Sequence, residues 1–356
     1  MISPLKKAEF LMRRFETILI LDLCLFIILS TITLRSVAPY IYPQYFIYIL
    51  IAVFVFIVFR KIDFDIYKLF SAHFYVLSII LLILPLIIGQ VTRGAIRWIP
   101  LGGLSIQPSE IVRAFLLLYF AKYFVEGRIN IAHIAKLFLI FIIPVLLILI
   151  QPSLGVAVIT VVGFFGVSLA SQMEKKYLLI TILIFILIMP MFWLILAPYQ
   201  KQRVLTFLNP ENDPLGSGYN SIQSMITVGS GGFFGRGLGE GVQTQLKFLP
   251  ERHTDFIFAS ITEEMGYFGG LLLIFAYFIF FYLLIEIIKN AKDPVARAYS
   301  TGVFMVLFTE FFIHLGMNMG LLPITGIPLP FVSAGGSSLI GTVMMIAIAL
   351  NSKKVT

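Results

Sequence analysis

The chain has 356 residues, 59% of them hydrophobic and 12% charged, with a net charge of +8 and a mean hydropathy of +0.99. Soluble domains carry about 45–50% apolar residues, so this composition excludes one and points to a polytopic membrane protein. The positive balance then reads as cytoplasmic loops and contact with anionic membrane lipids, with no nucleic-acid partner.

Apolar runs of about 17–25 residues predict an all-α fold of about ten transmembrane helices. In chain order the expected spans are Thr17–Leu34, Gln44–Phe59, His73–Gly89, Pro108–Phe124 and Ile134–Ile150. Leu154–Ser171, Tyr177–Ala197, Asp255–Ile288, Ala298–Gly316 and Gly336–Asn351 follow. They form one membrane domain over 1–356, with a large extracellular loop at about 198–254 between spans seven and eight. Cys24, the single cysteine, lies in the first run as a small packing residue, which excludes an internal disulfide or a cysteine metal cluster. The first run follows Arg13 and Arg14 and lacks a small-residue cleavage site, so it reads as a span and not a signal peptide.

Basic residues set the orientation. Lys6, Lys7, Arg13, Arg14, Arg60, Lys61, Lys68, Lys122, Arg128, Lys136, Lys175, Lys176, Lys289, Lys292, Arg297, Lys353 and Lys354 fall on one side, mostly in short segments. The positive-inside bias makes that side cytoplasmic, with both termini on it and the long loop outside. Arg93, Arg97, Arg203 and Arg252 go against the bias on the outer face. Guanidinium forks match phosphate oxygens, so a phosphate-bearing ligand is one explanation, and lipid headgroups are the other.

The stretch Leu249–Gly270 (LPERHTDFIFASITEEMGYFGG) organises the chain. It delivers Asp255 to the mouth of an apolar run and sets Glu263 and Glu264 inside it. Intramembrane acids are expensive, which makes each a candidate for function or for a buried pairing. The glycines from Gly229 to Gly241 allow close backbone approach, but no strand surrounds them, so they are no dinucleotide fingerprint. Gln151-Pro152 and the segment Pro323–Gly336 are dense in helix breakers. At membrane depth such backbone is tolerated only where protein or a cavity covers it. Glu110 and Arg113 are three residues apart on one helix face and read first as an ion pair. Four histidines without ligand spacing make no zinc site.

Five stretches together resemble one family: Arg93–Glu110 (RGAIRWIPLGGLSIQPSE), Gln151–Ala157 (QPSLGVA), Gly218–Gln223 (GYNSIQ), Gly229–Glu264 and Gly320–Ser338 (GLLPITGIPLPFVSAGGSS). Their order is similar to that in SEDS proteins, the shape, elongation, division and sporulation family. QLKFLPERHTDF is closer to the elongation branch, while GRGLGEGVQ would also suit the division branch. The resemblance implies a peptidoglycan glycosyltransferase that polymerises lipid II on the outer face of the cytoplasmic membrane, for cell-wall elongation and rod shape. It also implies a class B penicillin-binding protein as partner, a divalent cation (magnesium or manganese) near the activity, and no organic cofactor. Asp255 matches the family's essential aspartate and is the catalytic candidate. Arg93, Arg97, Arg113, Arg203, Arg252, Glu110, Gln223, His253, Thr254 and Ser337 are the substrate-binding candidates, with Arg97 and Arg113 the preferred pair for the diphosphate. Asp255, Glu263 and Glu264 are the candidate metal ligands. Ser153, Thr262, Arg113 and Ala334 depart from the family's usual residues, and Ser153 removes a carboxylate. A flippase for the lipid-linked precursor and a non-catalytic scaffold for a transpeptidase are the other readings. A flippase needs a charged path from both sides, whereas the irregular charges here gather outside.

Orientation is open to direct measurement. In a Cys24→Ala background, Gly216→Cys should react with an impermeant thiol reagent in intact cells, and tags at residues 1 and 356 should be protected. Labelling of Gly216→Cys only after lysis would invert the topology.

Overall fold

The computed structural model describes residues 4–92, 95–127, 131–171, 176, 179, 183, 198–216 and 218–353. Helices α1 (Pro4–Val37), α2 (Tyr42–Lys61) and α3 (Phe64–Ile88) open the chain and lead into a small sheet. Next come α4 (Pro108–Ile111), α5 (Arg113–Glu126), α6 (Ile131–Ile150) and α7 (Leu154–Ala170). The long loop holds α8 (Pro198–Leu208), α9 (Tyr219–Ser230) and the single turn α10 (Val242–Gln245). The chain closes with α11 (Ile257–Lys289), α12 (Pro294–Asn318) and α13 (Gly336–Asn351). Among the described residues, α2, α3, α11, α12 and the Phe15–Val37 part of α1 are long and apolar enough to cross a membrane. Three shorter apolar helices accompany them. The expected span at Tyr177–Ala197 lies outside the described residues, isolated helical positions excepted.

The expected fourth span contains a turn residue, Val112 (φ −66°, ψ −17°), but its dihedrals are helical and the path continues from α4 into α5. A larger difference is the antiparallel sheet before it. Strands β1 (Gln90–Thr92), β2 (Ala95–Leu101) and β3 (Leu104–Ile106) pair in that order. Gly102 and Gly103, both at positive φ (55° and 92°), make the tight connection between β2 and β3. A two-residue Gly-Gly loop between short apolar runs is a hairpin signal that the span-length hydropathy reading does not register. Cys24 is exposed on the bundle's surface and does not pack in its interior.

The bundle closes where small residues let helices approach. A Cβ on Gly163 of α7 would come within 2.7 Å of Val306 on α12, and one on Gly302 of α12 within 2.7 Å of Val167 on α7. Hydrocarbon supplies little drive for helices to associate, so close backbone approach does much of that work. Asp293 caps α12, accepting from the Ala296 amide at 2.7 Å, and Pro294 occupies the first helical turn. At the end carrying the chain termini, Glu16 meets Arg60 at 2.9 Å and Lys353 at 3.7 Å. There Asn351 also donates to the carbonyls of Phe59 and Ile62, both at 2.7 Å.

The eighth expected span is one long element interrupted at Gly266 (φ 70°, ψ −168°), a conformation a side chain would strain. A Cβ there would lie 2.2 Å from the Gly235 amide nitrogen and 2.5 Å from the Phe233 carbonyl oxygen. The glycine-rich loop thus packs directly against the break. Gly266→Ala should cost about 1–3 kcal/mol of stability and open the 231–241 loop to proteolysis. Gly229→Ala, in a helix with nothing near its missing side chain, should be neutral or stabilising by about 0.5–1 kcal/mol. Thermal unfolding in detergent with limited proteolysis checks both, and equal behaviour of the two variants would remove the special role of Gly266.

Candidate active site

Asp255 lies at the end of a turn that leads into α11. The turn is held by backbone bonds from Thr254 and Phe256 amides to the Glu251 carbonyl (3.1 and 3.2 Å), with Glu251 itself at φ 50°. Two further segments lock it from outside. The Ala334 amide donates to the His253 carbonyl at 3.0 Å, and Ser333 Oγ donates to the Thr254 carbonyl at 2.7 Å while accepting from the Leu329 amide at 2.9 Å. From α12, Asn318 Nδ2 donates to the Asp255 carbonyl at 3.0 Å.

The Pro323–Gly335 loop that faces this turn is itself held from three helices. His314 Nδ1 donates to the Ile327 carbonyl at 2.9 Å, Ser30 Oγ to the Val332 carbonyl at 2.6 Å, and the Tyr277 hydroxyl to the Pro330 carbonyl. These helices supply the partners that irregular backbone at membrane depth requires. The sequence reading of this segment as a covered, non-helical lining therefore holds.

Half-buried Asp255 and exposed Arg203 converge on Gly326 of that loop. The position a Cβ would take on Gly326 (φ 70°) is 3.4 Å from Asp255 Oδ2 and 4.0 Å from Arg203 Nη1. Arg203, on α8, also donates to the Ile324 carbonyl at 3.4 Å. Beside them opens a cavity of about 320 Å³ lined by Gln202, Arg203, Thr206, Phe207, Ser221, Pro323 and Ile324. The guanidinium thus lines a space for a ligand, and the carboxylate meets it at Gly326, two residues along the loop from the cavity's Ile324.

The other candidates separate from this wall. Arg113 is 1% exposed and bound by two carboxylates, Glu110 Oε2 at 2.6 Å and Glu310 Oε1, in the bundle interior. The expectation that it meets a diphosphate is corrected: a guanidinium already held by two acids has no charge to offer a third anion. Arg252 is also buried, and its Nε donates to the Val37 carbonyl at 2.9 Å, tying the turn to α1. Ser337 Oγ accepts from the Gln107 amide at 2.9 Å, joining α13 to the segment after β3. His253 packs edge-on to Tyr40 at 6.2 Å, and Thr254 Oγ1 donates to Glu251 Oε2 at 3.1 Å. Gln223 sits half-buried on α9 and Arg97 half-buried on β2, while Arg93 lies outside the described residues.

Glu263 and Glu264 are spent on the glycine-rich loop. Glu263 accepts from the Gln243 and Thr244 amides at 2.8 and 3.0 Å, capping α10, which has no side-chain cap of its own. Glu264 accepts from Ser36 Oγ at 2.5 Å, the Gly239 amide at 3.1 Å and Gln245 Nε2 at 3.1 Å. Neither joins Asp255 around an ion. Among the described residues no group of three or more His, Cys, Asp or Glu could hold a metal, so the donor set does not fit a protein-built cation cage. Sequence reasoning missed Asn318, Ser333, Gly326 and Glu310. Glu310 was detectable as an acid within an apolar run; the others carry no signal outside the fold.

With this geometry in view, the comparisons decide the lineage. The family model for cell cycle proteins of the FtsW, RodA and SpoVE type matches residues 10–356. The chain belongs to that family. It is 36% identical to the peptidoglycan glycosyltransferase MrdB of Escherichia coli K12 over 287 residues, covering 80% of this chain and 78% of that one. It is 34% identical to the probable peptidoglycan glycosyltransferase FtsW of Buchnera aphidicola over 354 residues, 94% and 92% of the two chains. Among solved structures, a chain from a peptidoglycan synthase complex that coordinates polymerisation and crosslinking superposes with a TM-score of 0.81 at 29% identity, over 93% of this chain and 95% of that one. The Thermus thermophilus rod shape determining protein RodA shares the fold, with a TM-score of 0.70 at 24% identity over 94% of both chains.

Burial separates two kinds of arginine, and mutation should follow it. Arg113→Ala strands two buried carboxylates and should destabilise the protein by about 3–5 kcal/mol, with expression falling alongside activity. Arg203→Ala, on an exposed helix face, should leave stability within about 0.5 kcal/mol while activity drops. Thermal unfolding and polymer yield on the same preparations test this, and a stable, inactive Arg113→Ala would reverse the assignment.

Proposed function

We propose that the Asp255–Arg203 wall polymerises lipid II on the outer face of the cytoplasmic membrane, with both chain termini on the cytoplasmic side. The chain is a multi-pass membrane peptidoglycan glycosyltransferase, and the observation that carries the site is the approach of Asp255 Oδ2 and Arg203 Nη1 to the one glycine, Gly326, beside the cavity.

The chemistry follows from what each group can do. The Asp255 carboxylate accepts the proton of the acceptor sugar hydroxyl as its oxygen attacks the donor's anomeric carbon. The bond from that carbon to the diphosphate oxygen breaks, and its electron pair leaves with the polyprenyl diphosphate. Arg203 faces the growing negative charge with its guanidinium. General-base help is worth about 10²–10⁴-fold, so orientation of the two sugars supplies much of the rest. A divalent cation at this wall would be held chiefly by the substrate diphosphate, since Glu263 and Glu264 bond to the glycine-rich loop and not beside Asp255.

The likeness to a chain of a peptidoglycan synthase complex supports a crosslinking partner of the class B penicillin-binding type. A flippase finds less support, because the cluster at Gly326 has no described counterpart at the opposite end, where the charged groups pair with one another. Asp255→Asn keeps the shape of the side chain and loses its charge, so it should abolish glycan polymer from lipid II while the melting temperature stays near wild type. Asp255→Glu should retain activity about 10²-fold lower, since an error of about 1 Å can cost that much. Wild-type polymer yield from a stable Asp255→Asn would sink the assignment.

A further inference from the structure

The first turn of α11 has a gap in its own sequence. Its N-cap position is Phe256, which makes no side-chain cap, so the amides of the first turn have no local acceptor. The missing cap comes from another helix. Asn318, fully buried at the end of α12, accepts from the Ala259 amide through Oδ1 at 3.0 Å and donates through Nδ2 to the Asp255 carbonyl at 3.0 Å. The same Nδ2 also donates to the His314 carbonyl at 2.8 Å, which fixes the side chain to its own helix.

One amide group therefore grips both the residue that carries the carboxylate and the helix turn that follows it. One turn back on the same face of α12, His314 holds the Ile327 carbonyl, next to the Gly326 against which Asp255 Oδ2 rests. The two side chains fix the carboxylate and the opposite wall of the site to a single rigid element. Neither touches the cavity.

We infer that Asn318 is a positioning residue for Asp255: it caps α11 from α12 and so sets the height and direction of the carboxylate relative to Gly326 and Arg203. The inference rests on Asp255 being the reacting carboxylate. Replacing the amide releases the Asp255 carbonyl and the Ala259 amide together, and a shift of about 1 Å at the carboxylate is enough to slow the reaction without changing how substrate binds.

The test uses the full-length chain in liposomes that support wild-type polymerisation, with lipid II as substrate. The variants are Asn318→Ala, Asn318→Ser and Ser224→Ala. Ser224 Oγ donates to the Asn318 carbonyl at 2.9 Å, so its loss disturbs the same buried neighbourhood without touching the start of α11. In the Asn318 variants kcat per folded molecule should fall about 10- to 100-fold with KM within about twofold of wild type. Ser224→Ala should lower the melting temperature by a similar amount and keep kcat within about twofold. If Asn318→Ala does not fold, Asn318→Ser, which retains a small hydrogen-bonding group, carries the comparison. Wild-type kcat in a folded Asn318 variant, or kcat falling in step with melting temperature across all three, overturns the inference. Asp255→Asn assayed in parallel separates the two claims: full activity there overturns the reading of Asp255 itself. An inactive Asp255→Asn beside a fully active Asn318 variant overturns only the role of Asn318.

Discussion

A polar backbone group in hydrocarbon has no water to turn to, and each one left unpaired costs several kcal/mol. Regular helices meet this demand internally except at their ends and breaks. This chain has many ends and breaks on one side of the bundle: the turn before α11, the interruption at Gly266, the short helix α10 and the Pro323–Gly335 loop. The arrangement of the site follows from how those groups are satisfied. Side chains from distant helices do it: Asn318 for the start of α11, Glu263 for α10, and Ser30, Tyr277 and His314 for the loop.

The same demand sorts the charged residues. Glu263 and one oxygen of Glu264 accept from loop amides and hydroxyls, and Arg113 is held by two carboxylates in the bundle interior. Arg203 instead lines a cavity, and Asp255 Oδ2 comes close to Gly326, the same glycine that Arg203 approaches. An enzyme moving a diphosphate-linked sugar needs charged groups within reach of its ligand. Burial of this kind separates the acids that hold the loop and the bundle together from the half-buried Asp255.

Much of the fold was legible because hydropathy over a span-length window is a strong signal. The ends of α2, α11 and α13 fall within a few residues of the expected spans. The importance of Leu249–Gly270 was also visible, since acids beside an apolar run are rare. What the sequence hid is pairing across long separations. Nothing local tells that Arg113 meets Glu310, or that Asn318 belongs to Asp255; these depend on how α12 packs against its neighbours. The sheet at Gln90–Ile106 was missed for a different reason, as three short strands inside a hydrophobic chain give little periodicity to detect.

The break at Gly266 leaves α11 with a short leading shaft, Ile257–Met265, roughly 13 Å long at 1.5 Å per residue. Asp255 stands just before one end of it. The other end is fastened to the glycine-rich loop, through the Arg236 and Gly237 amides on the Glu263 and Glu264 carbonyls at 2.9 and 3.0 Å. The same loop also holds the start of the longer shaft, where the Tyr267 and Phe268 amides donate to the Gly232 and Phe233 carbonyls at 2.9 and 3.3 Å. The loop thus bridges the break from both sides, and the shaft that begins beside Asp255 is braced at its far end by backbone bonds as well as at its near end by Asn318.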